Sequence, residues 1–311
     1  MFKKILSATD VVESIDAPTT AAQAIAELTN GKLYLLHVLE SSSSQNRHLV
    51  KHYKTGAEFE SHPQYAQEVL ETIRRTHLDH PNTFQNVEIQ VTTGYPFEEI
   101  IALARTIQTD LIVIGSHSSR AQEKGVVRVK GKVGSTAEGV IINAACPVMI
   151  VNQPLAPESL RFKKLILAMD FSPSCIHAFR FALKLARTFG SKIFAYNMLP
   201  VPPSSRYTQA MYDSDLKAAQ QKLDALCCDI PPEIEAECKV WGGVYPHLEI
   251  LKYAARKDAD IIVMGSHTKD TNGKWYVGSA VERVSYRATC PVIVITSPAT
   301  AVARSNALPP Y

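Results

Sequence analysis

The sequence predicts an α/β protein built as two tandem, doubly wound domains, each with a five-stranded parallel sheet and four helices. Three observations predict it. The chain repeats itself at about half its length, and short apolar runs alternate with segments of helical periodicity. The runs, such as "DLIVIG" and "DIIVMG", are apolar throughout rather than at every second residue, as strands covered on both faces should be.

The repeat is ordered. "FKKILSATD" (2–10) returns as "FKKLILAMD" (162–170), and "GKLYLLHVLE" (31–40) as "SKIFAYNMLP" (191–200). "YPFEEIIALARTIQTDLIVIGSHS" (95–118) returns as "YPHLEILKYAARKDADIIVMGSHT" (245–268), and "GSTAEGVIINAACPVMIV" (134–151) as "GSAVERVSYRATCPVIVI" (278–295). The expected domains are 1–153 and 160–298, joined near "NQPLAPESLR" (152–161), with an aperiodic tail over 299–311. The second half shows the elements in order. "KKLILAM" is a strand, and "SPSCIHAFRFALKLARTFG" is a helix with Gly190 as its stop. "KIFAYNM" is a strand, "DSDLKAAQQKLDALC" a helix, "EIEAECKVW" an alternating strand, "HLEILKYAARK" a helix and "DIIVMG" a strand. "SAVERVSYRA" closes the unit as a helix and "PVIVIT" as a strand.

Bulk properties narrow the function. A chain of 311 residues, 46% hydrophobic and 20% charged, is ordinary for soluble globular domains. A net charge of +3 with interspersed signs points neither to nucleic acid nor to a membrane. The apolar runs are far shorter than a bilayer span, and Asp10 interrupts the N-terminal stretch too early for a signal peptide, so a cytoplasmic location is expected. The six cysteines (146, 175, 227, 228, 238 and 290) form no C-x-x-C pair, which favours reduced structural thiols. No His/Cys cluster has metal spacing, and no metal site is expected.

Open parallel sheets bind ligands at the carboxyl ends of their strands, where the strand order reverses. Asp10 and Asp170 end the first strand of each half, Gly115 and Gly265 the fourth, and Gly134-Ser135 and Gly278-Ser279 open the last helix. A carboxylate, a glycine and a helix start on one edge suit a nucleotide, because backbone N–H groups there face an anion. A second reading needs no ligand. "STAE" (135–138) and "SAVE" (279–282) fit a capping box with serine as the cap, and the aspartates could serve turns. "GVVRVKGKV" lacks the Ser/Thr of a P-loop, and no G-x-G-x-x-G, G-x-S-x-G or H-E-x-x-H occurs.

The Asp-ended first strand, "P-x-x-x-I…A…DLIVIGSH" and "GS-x-x-E…CPV-x-V", each present twice, resemble the universal stress protein family, and the chain resembles a tandem member. The resemblance covers nearly the whole chain and implies the adenine nucleotide alpha hydrolase-like fold. The family's nucleotide-binding branch carries G-x2-G-x9-G-[S/T]. Gly265, Gly278 and Ser279 match it with the right spacing, but Thr268 replaces the middle glycine. In the first half Gly115, Gly134 and Ser135 match, Ser118 takes the middle position, and the loop is six residues longer, carrying Lys124, Arg128, Lys130 and Lys132. A β-branched side chain resists the positive φ that glycine permits, although a hydroxyl can itself donate to phosphate.

By that resemblance Asp170 holds the adenine region and Met198 packs on the base. Gly265, Thr268, Gly278, Ser279 and Ala280 surround ribose and phosphates. Asp10 and Val38 play the corresponding parts in the first half; the second half is the favoured site. Core packing is the competing role for Met198 and Val38. His117 and His267 lack a positioned nucleophile, and a hydrogen bond within the loop suits them better. The implied function is a stress-response protein holding ATP, or ADP or AMP, with or without Mg2+, as a regulatory ligand and not as an enzyme's substrate. The alternatives are a nucleotide-free interaction scaffold and, last, an adenylating enzyme. In the family manner, "CPVMIV" and "CPVIVI" are expected to pair edge to edge, both inside the chain and as the contact of a homodimer.

Overall fold

In the computed structural model, which describes residues 1–41, 49–78, 85–117, 132–156, 160–202, 204, 206–266, 268–269 and 275–296, each half runs strand–helix in alternation. The first half contains β1 (Lys4–Thr9), α1 (Ala17–Thr29), β2 (Lys32–Glu40), β3 (Leu49–Lys51), β4 (Glu58–Glu60), α2 (Pro63–Leu78), β5 (Val87–Gly94), α3 (Pro96–Ile107), β6 (Leu111–Ile114), α4 (Ser135–Asn143) and β7 (Val148–Ile150). The second contains β8 (Lys164–Met169), α5 (Pro173–Phe189), β9 (Lys192–Pro200), α6 (Gln209–Cys227), β10 (Ala236–Gly243), α7 (Pro246–Lys257), β11 (Ile261–Gly265), β12 (Thr268–Lys269), β13 (Trp275–Tyr276), α8 (Ser279–Arg287) and β14 (Val292–Ile295). The expected strands and helices of the second half are all present.

Local chemistry sets the helix limits. Ser172 caps α5 by accepting from the Cys175 N–H, Pro173 supplies the first-turn φ, and Gly190 ends the helix in the left-handed conformation. Asp16 caps α1 by accepting from the Thr19 N–H. Asn30, Gln108 and Asp258 terminate α1, α3 and α7 at positive φ without glycine.

The two five-stranded sheets merge into one of ten strands, ordered β10-β9-β8-β11-β14-β7-β6-β1-β2-β5. All neighbours are parallel except at the centre, where Val292, Ile293 and Val294 of β14 pair antiparallel with Ile150, Met149 and Val148 of β7. The closing strands therefore do pair with each other inside the chain. The same ladder corrects the expected homodimer contact. Each closing strand has a neighbour on both sides, and the open edges are β5 and β10, so a second chain finds no free ladder at the centre.

Two apolar cores, one per face, run across this junction. One holds Ile5 and Met149 with Leu165 and Ile293 under α1 and α5; the other holds Leu6 and Ile150 with Ile166 and Val292 under α3, α4, α7 and α8. Polar side chains stitch the junction at both ends. Asn152 Nδ2 donates to the Ser285 and Ala288 carbonyls at the end of α8 (2.7 and 3.1 Å), and Thr296 Oγ1 donates to the Ala144 carbonyl after α4 (2.9 Å). These bonds satisfy helix-end carbonyls that have no partner within their own helix.

The cysteine expectation needs one correction: Cys227, ending α6, is disulfide-bonded to Cys238 of β10, while Cys146, Cys175, Cys228 and Cys290 are free. The pairing follows from packing rather than spacing. α6 lies along the edge strand, and the Gln220 amide bonds both the Cys238 carbonyl (3.1 Å) and the Val240 N–H (2.9 Å), standing in for a missing neighbour strand. With a sequence separation of 11, loop-closure entropy makes this bridge worth about 3 kcal/mol. Reduction, or a Cys227→Ala/Cys238→Ala double variant, is expected to lower the urea unfolding free energy by about that amount. A thiol titration of unfolded, unreduced protein should count the four free cysteines.

His77 gives a second prediction. It is buried at the end of α2, and among the described residues neither ring nitrogen has a hydrogen-bond partner. Burial lowers its pKa, against a smaller upward pull from Asp16. The unfolded chain thus takes up this proton at a higher pH than the folded one, and stability falls as pH drops below about 6.5. The unfolding free energy should be smaller at pH 5.5 than at pH 7.5, with part of that difference absent from His77→Leu.

Candidate functional site

Within each half the chain winds from the first strand outward to β2 and β5, or β9 and β10, then returns to the other side, so the order reverses between β1 and β6 and between β8 and β11. Register assembles the predicted residues at these points. Thr9 pairs with His37, which sets Asp10 beside Val38; Met169 pairs with Asn197, which sets Asp170 beside Met198. Ser7 pairs with Val113 and Ala168 with Met264, which brings Gly115 and Gly265 to the same edges. Because β7 and β14 are antiparallel, the two edges lie at opposite ends of the sheet.

The last helix of each half starts at this edge. Gly134 donates its N–H to the Ser116 carbonyl (2.7 Å), drawing the start of α4 onto the exit of β6. Here the capping-box reading is corrected. The N-caps of α4 and α8 are Gly134 and Gly278, neither of which has a side chain to cap with, and Ser135 and Ser279 are already the first helical residues. The leading N–H groups are thus not claimed by the box, which leaves them oriented for an anion. Glu138 and Glu282 lie in the first turns. Burial, more than any neighbouring charge, raises the Glu282 pKa, and Glu138 adds to it while Lys132 opposes.

Asp170 is exposed and accepts from the Ser172 N–H (3.0 Å) and hydroxyl (2.6 Å), so it also braces the cap of α5. Asp10 is half-buried; in its half the capping role passes to Asp16, which accepts from Thr9 Oγ1 (2.7 Å) and the Thr19 N–H (2.8 Å). Val38, Met198 and Ala280 are half-buried against the α3/α7 core, and the Met198 sulfur lies 3.1 Å from where a Cβ on Gly243 would sit. Val38 and Met198 therefore pack on the core as well as facing the strand ends.

The glycines divide by role. A Cβ on Gly265 would lie 2.5 to 2.7 Å from Ser174 and Cys175 backbone atoms, so this glycine lets the first turn of α5 rest on the strand end. At Gly134 the nearest atom would be 3.4 Å away, an ordinary contact. Thr268 also differs from expectation. It lies in a short antiparallel ladder, opposite Tyr276, with Lys269 opposite Trp275. The backbone at Thr268 is extended, a conformation that suits a β-branched residue and asks nothing of glycine. Ser118, His267, Lys124, Arg128 and Lys130 lie outside the described residues; Lys132 is exposed. His117 meets Ser116 Oγ through Nδ1 (3.2 Å), the loop bond expected of it, and its ring lies edge-on to Tyr286 of the other half at 5.2 Å.

Two further residues border this edge, one in each half. His37 Nδ1 bonds the Thr9 carbonyl (3.0 Å), and Asn197 Nδ2 donates to the Met169 carbonyl (2.8 Å), each tying β2 or β9 to the end of the first strand. The signal was a lone polar residue at the same place in both repeats, "LLHVL" and "AYNML", inside an otherwise apolar run. Among the described residues no group of three or more His, Cys, Asp and Glu side chains could hold a metal ion, and no helix is long and apolar enough to cross a membrane.

Comparison with known proteins agrees with the fold. The universal stress protein family model matches residues 1–152 and again 161–296. Universal stress protein MJ0531 of Methanocaldococcus jannaschii is 28% identical over 167 residues, covering 51% of this chain and 96% of that protein. A universal stress protein from Archaeoglobus fulgidus DSM 4304 has a similar structure, with a TM-score of 0.58 at 19% identity, covering 94% of this chain and 98% of that one. Another, from Archaeoglobus fulgidus in complex with dAMP, covers 43% of this chain and 98% of its own at 27% identity, with a TM-score of 0.33.

Proposed function

The chain belongs to the universal stress protein family, with a member domain in each half, and from that premise we propose that it holds an adenine nucleotide as a regulatory ligand at the strand ends of the second half. One observation carries the reading. At the point where strand order reverses, an exposed carboxylate (Asp170), a strand-end glycine (Gly265) and the glycine-capped start of α8 share one edge. Phosphates would lie against the N–H groups at Ser279 and Ala280, and the base would lie between Asp170 and Met198. Mg2+ would arrive with the phosphates. The nucleotide is held rather than turned over, since the described residues of this edge include no nucleophile with a positioned base. The first half, with Asp10, Val38, Gly115, Gly134 and Ser135, is the weaker copy.

Denaturing extraction of purified protein, followed by anion-exchange chromatography against nucleotide standards, tests this. Near-stoichiometric ATP, ADP or AMP is expected. Asp170→Ala should weaken binding about tenfold or more, the scale of a hydrogen bond to a charged group, whereas Asp10→Ala should change it less. Empty protein that also shows no thermal shift with millimolar ATP would overturn the proposal in favour of a nucleotide-free interaction scaffold.

A further inference from the structure

Two adjoining depressions lie away from the strand ends. One, of about 550 Å3, is lined by Met1 and Leu28 of the first half and by Arg161, Lys163, Thr188 and Phe189 of the second. The other, of about 410 Å3, continues along α5 past Arg180, Leu183, Lys184 and Arg187, and Thr188 belongs to both. The repeat that aligns Phe2 with Phe162 also aligns Met1 with Arg161 and Leu28 with Thr188. The trough therefore crosses the axis relating the two halves, held underneath by Phe2 against Phe181 and Phe189 (ring centroids 6.3 and 6.4 Å).

Its charge is one-sided. Arg161, Lys163, Arg180, Lys184 and Arg187 are all exposed, and the described lining holds no acidic side chain. Arg187 pairs with Glu233 at 3.4 Å, and Lys163 Nζ donates to the Phe189 carbonyl. Arg161, Arg180 and Lys184 make no ion pair among the described residues. The positions of α1 that correspond to Arg180, Lys184 and Arg187 are Thr20, Ala24 and Glu27, so the cationic row is peculiar to the second half. Apolar surface alternates with it: Leu183 sits between the cations, and Leu28 is 51% exposed.

We propose that this trough is a docking surface for an acidic, amphipathic segment of another protein. Its carboxylates would face Arg180, Lys184 and Arg187, which span two turns of α5, roughly 10 Å. Its apolar side chains would cover Leu28, Leu183 and Phe189. Charge complementarity selects the occupant. The chain's own residues 297–311 contain no Asp or Glu and do not match, and a cationic row present in one half alone does not call for a symmetric partner. The proposal is independent of nucleotide binding.

Panning a random dodecapeptide phage library on the immobilised full chain, with counter-selection on Arg180→Glu/Lys184→Glu, tests it. Enriched peptides should interleave Asp or Glu with Leu, Ile or Phe. The strongest, synthesised and labelled, should lose about tenfold or more affinity for the charge-reversed variant in fluorescence anisotropy. It should also weaken with Leu28→Ser/Leu183→Ser and with added salt. The milder Arg180→Gln/Lys184→Gln variant, checked by circular dichroism and thermal midpoint, separates lost charge from lost fold. No enrichment, neutral or basic peptides, or equal binding to the variants would overturn the proposal. So would cation-dependent binding of phosphatidylglycerol vesicles or oligo-dT without acidic peptides, or a dimer that the charge reversal dissociates in light scattering.

Discussion

Ile293→Asp is expected to unfold both halves together. Ile293 is fully buried, lies opposite Met149 in the central antiparallel ladder, and belongs to a core built from both halves. A carboxylate there would be desolvated without a partner, costing about 4 kcal/mol or more, against a total stability on the order of 5–15 kcal/mol. Thr296→Val is the mild counterpart, removing one bond to the Ala144 carbonyl for about 1 kcal/mol. Denaturant unfolding followed by circular dichroism and size-exclusion chromatography reads both. Two separated transitions in the Asp variant, one at the wild-type midpoint, would show that the halves are energetically independent and that the shared cores are a contact rather than a unit.

Gly265→Val is expected to cost about 3 kcal/mol and to abolish any ligand site in the second half. The added Cβ would sit within 2.5 to 2.7 Å of backbone atoms at Ser174 and Cys175, which belong to a helix start and cannot rotate away as a side-chain tip would. Either β11 or the first turn of α5 must shift, and both border the edge where Asp170 lies. Gly134→Ala, in the equivalent motif but with its nearest atom at 3.4 Å, should cost about 1 kcal/mol or less, mainly as a poorer N-cap. Equal costs at the two positions would mean that the contact at Ser174 does not decide the role of Gly265.

The placement of the candidate site is legible because it is local. Asp10, Asp170, Gly115 and Gly265 end apolar runs, and in a parallel sheet strand ends are where register brings neighbours together. Sequence and structure part where a local motif has two solutions. S-x-x-E fits a capping box whenever serine is the cap, but a glycine precedes it in both halves and takes that place, moving serine into the helix. Thr268 matches the middle glycine by spacing, which counts residues and not backbone shape; its ladder pairing with Tyr276 is one that spacing does not encode. His37 and Asn197 carry little signal of their own, because one polar residue in an apolar strand looks like an exception until the carbonyl it meets is known.

The sequence by itself determined the two-fold repeat, the alternation of strand and helix, the limits of most helices and which residues end the strands. Those properties follow from periodicity, capping and backbone freedom, which act over a few residues. Only the tertiary structure decided that the pairing of the closing strands leaves no central edge for a second chain, that Cys227 meets Cys238, and that a cationic trough crosses the axis between the halves. Each of these depends on which distant surfaces come together. That choice is made by burying apolar area between segments far apart in the chain, where no short pattern records it.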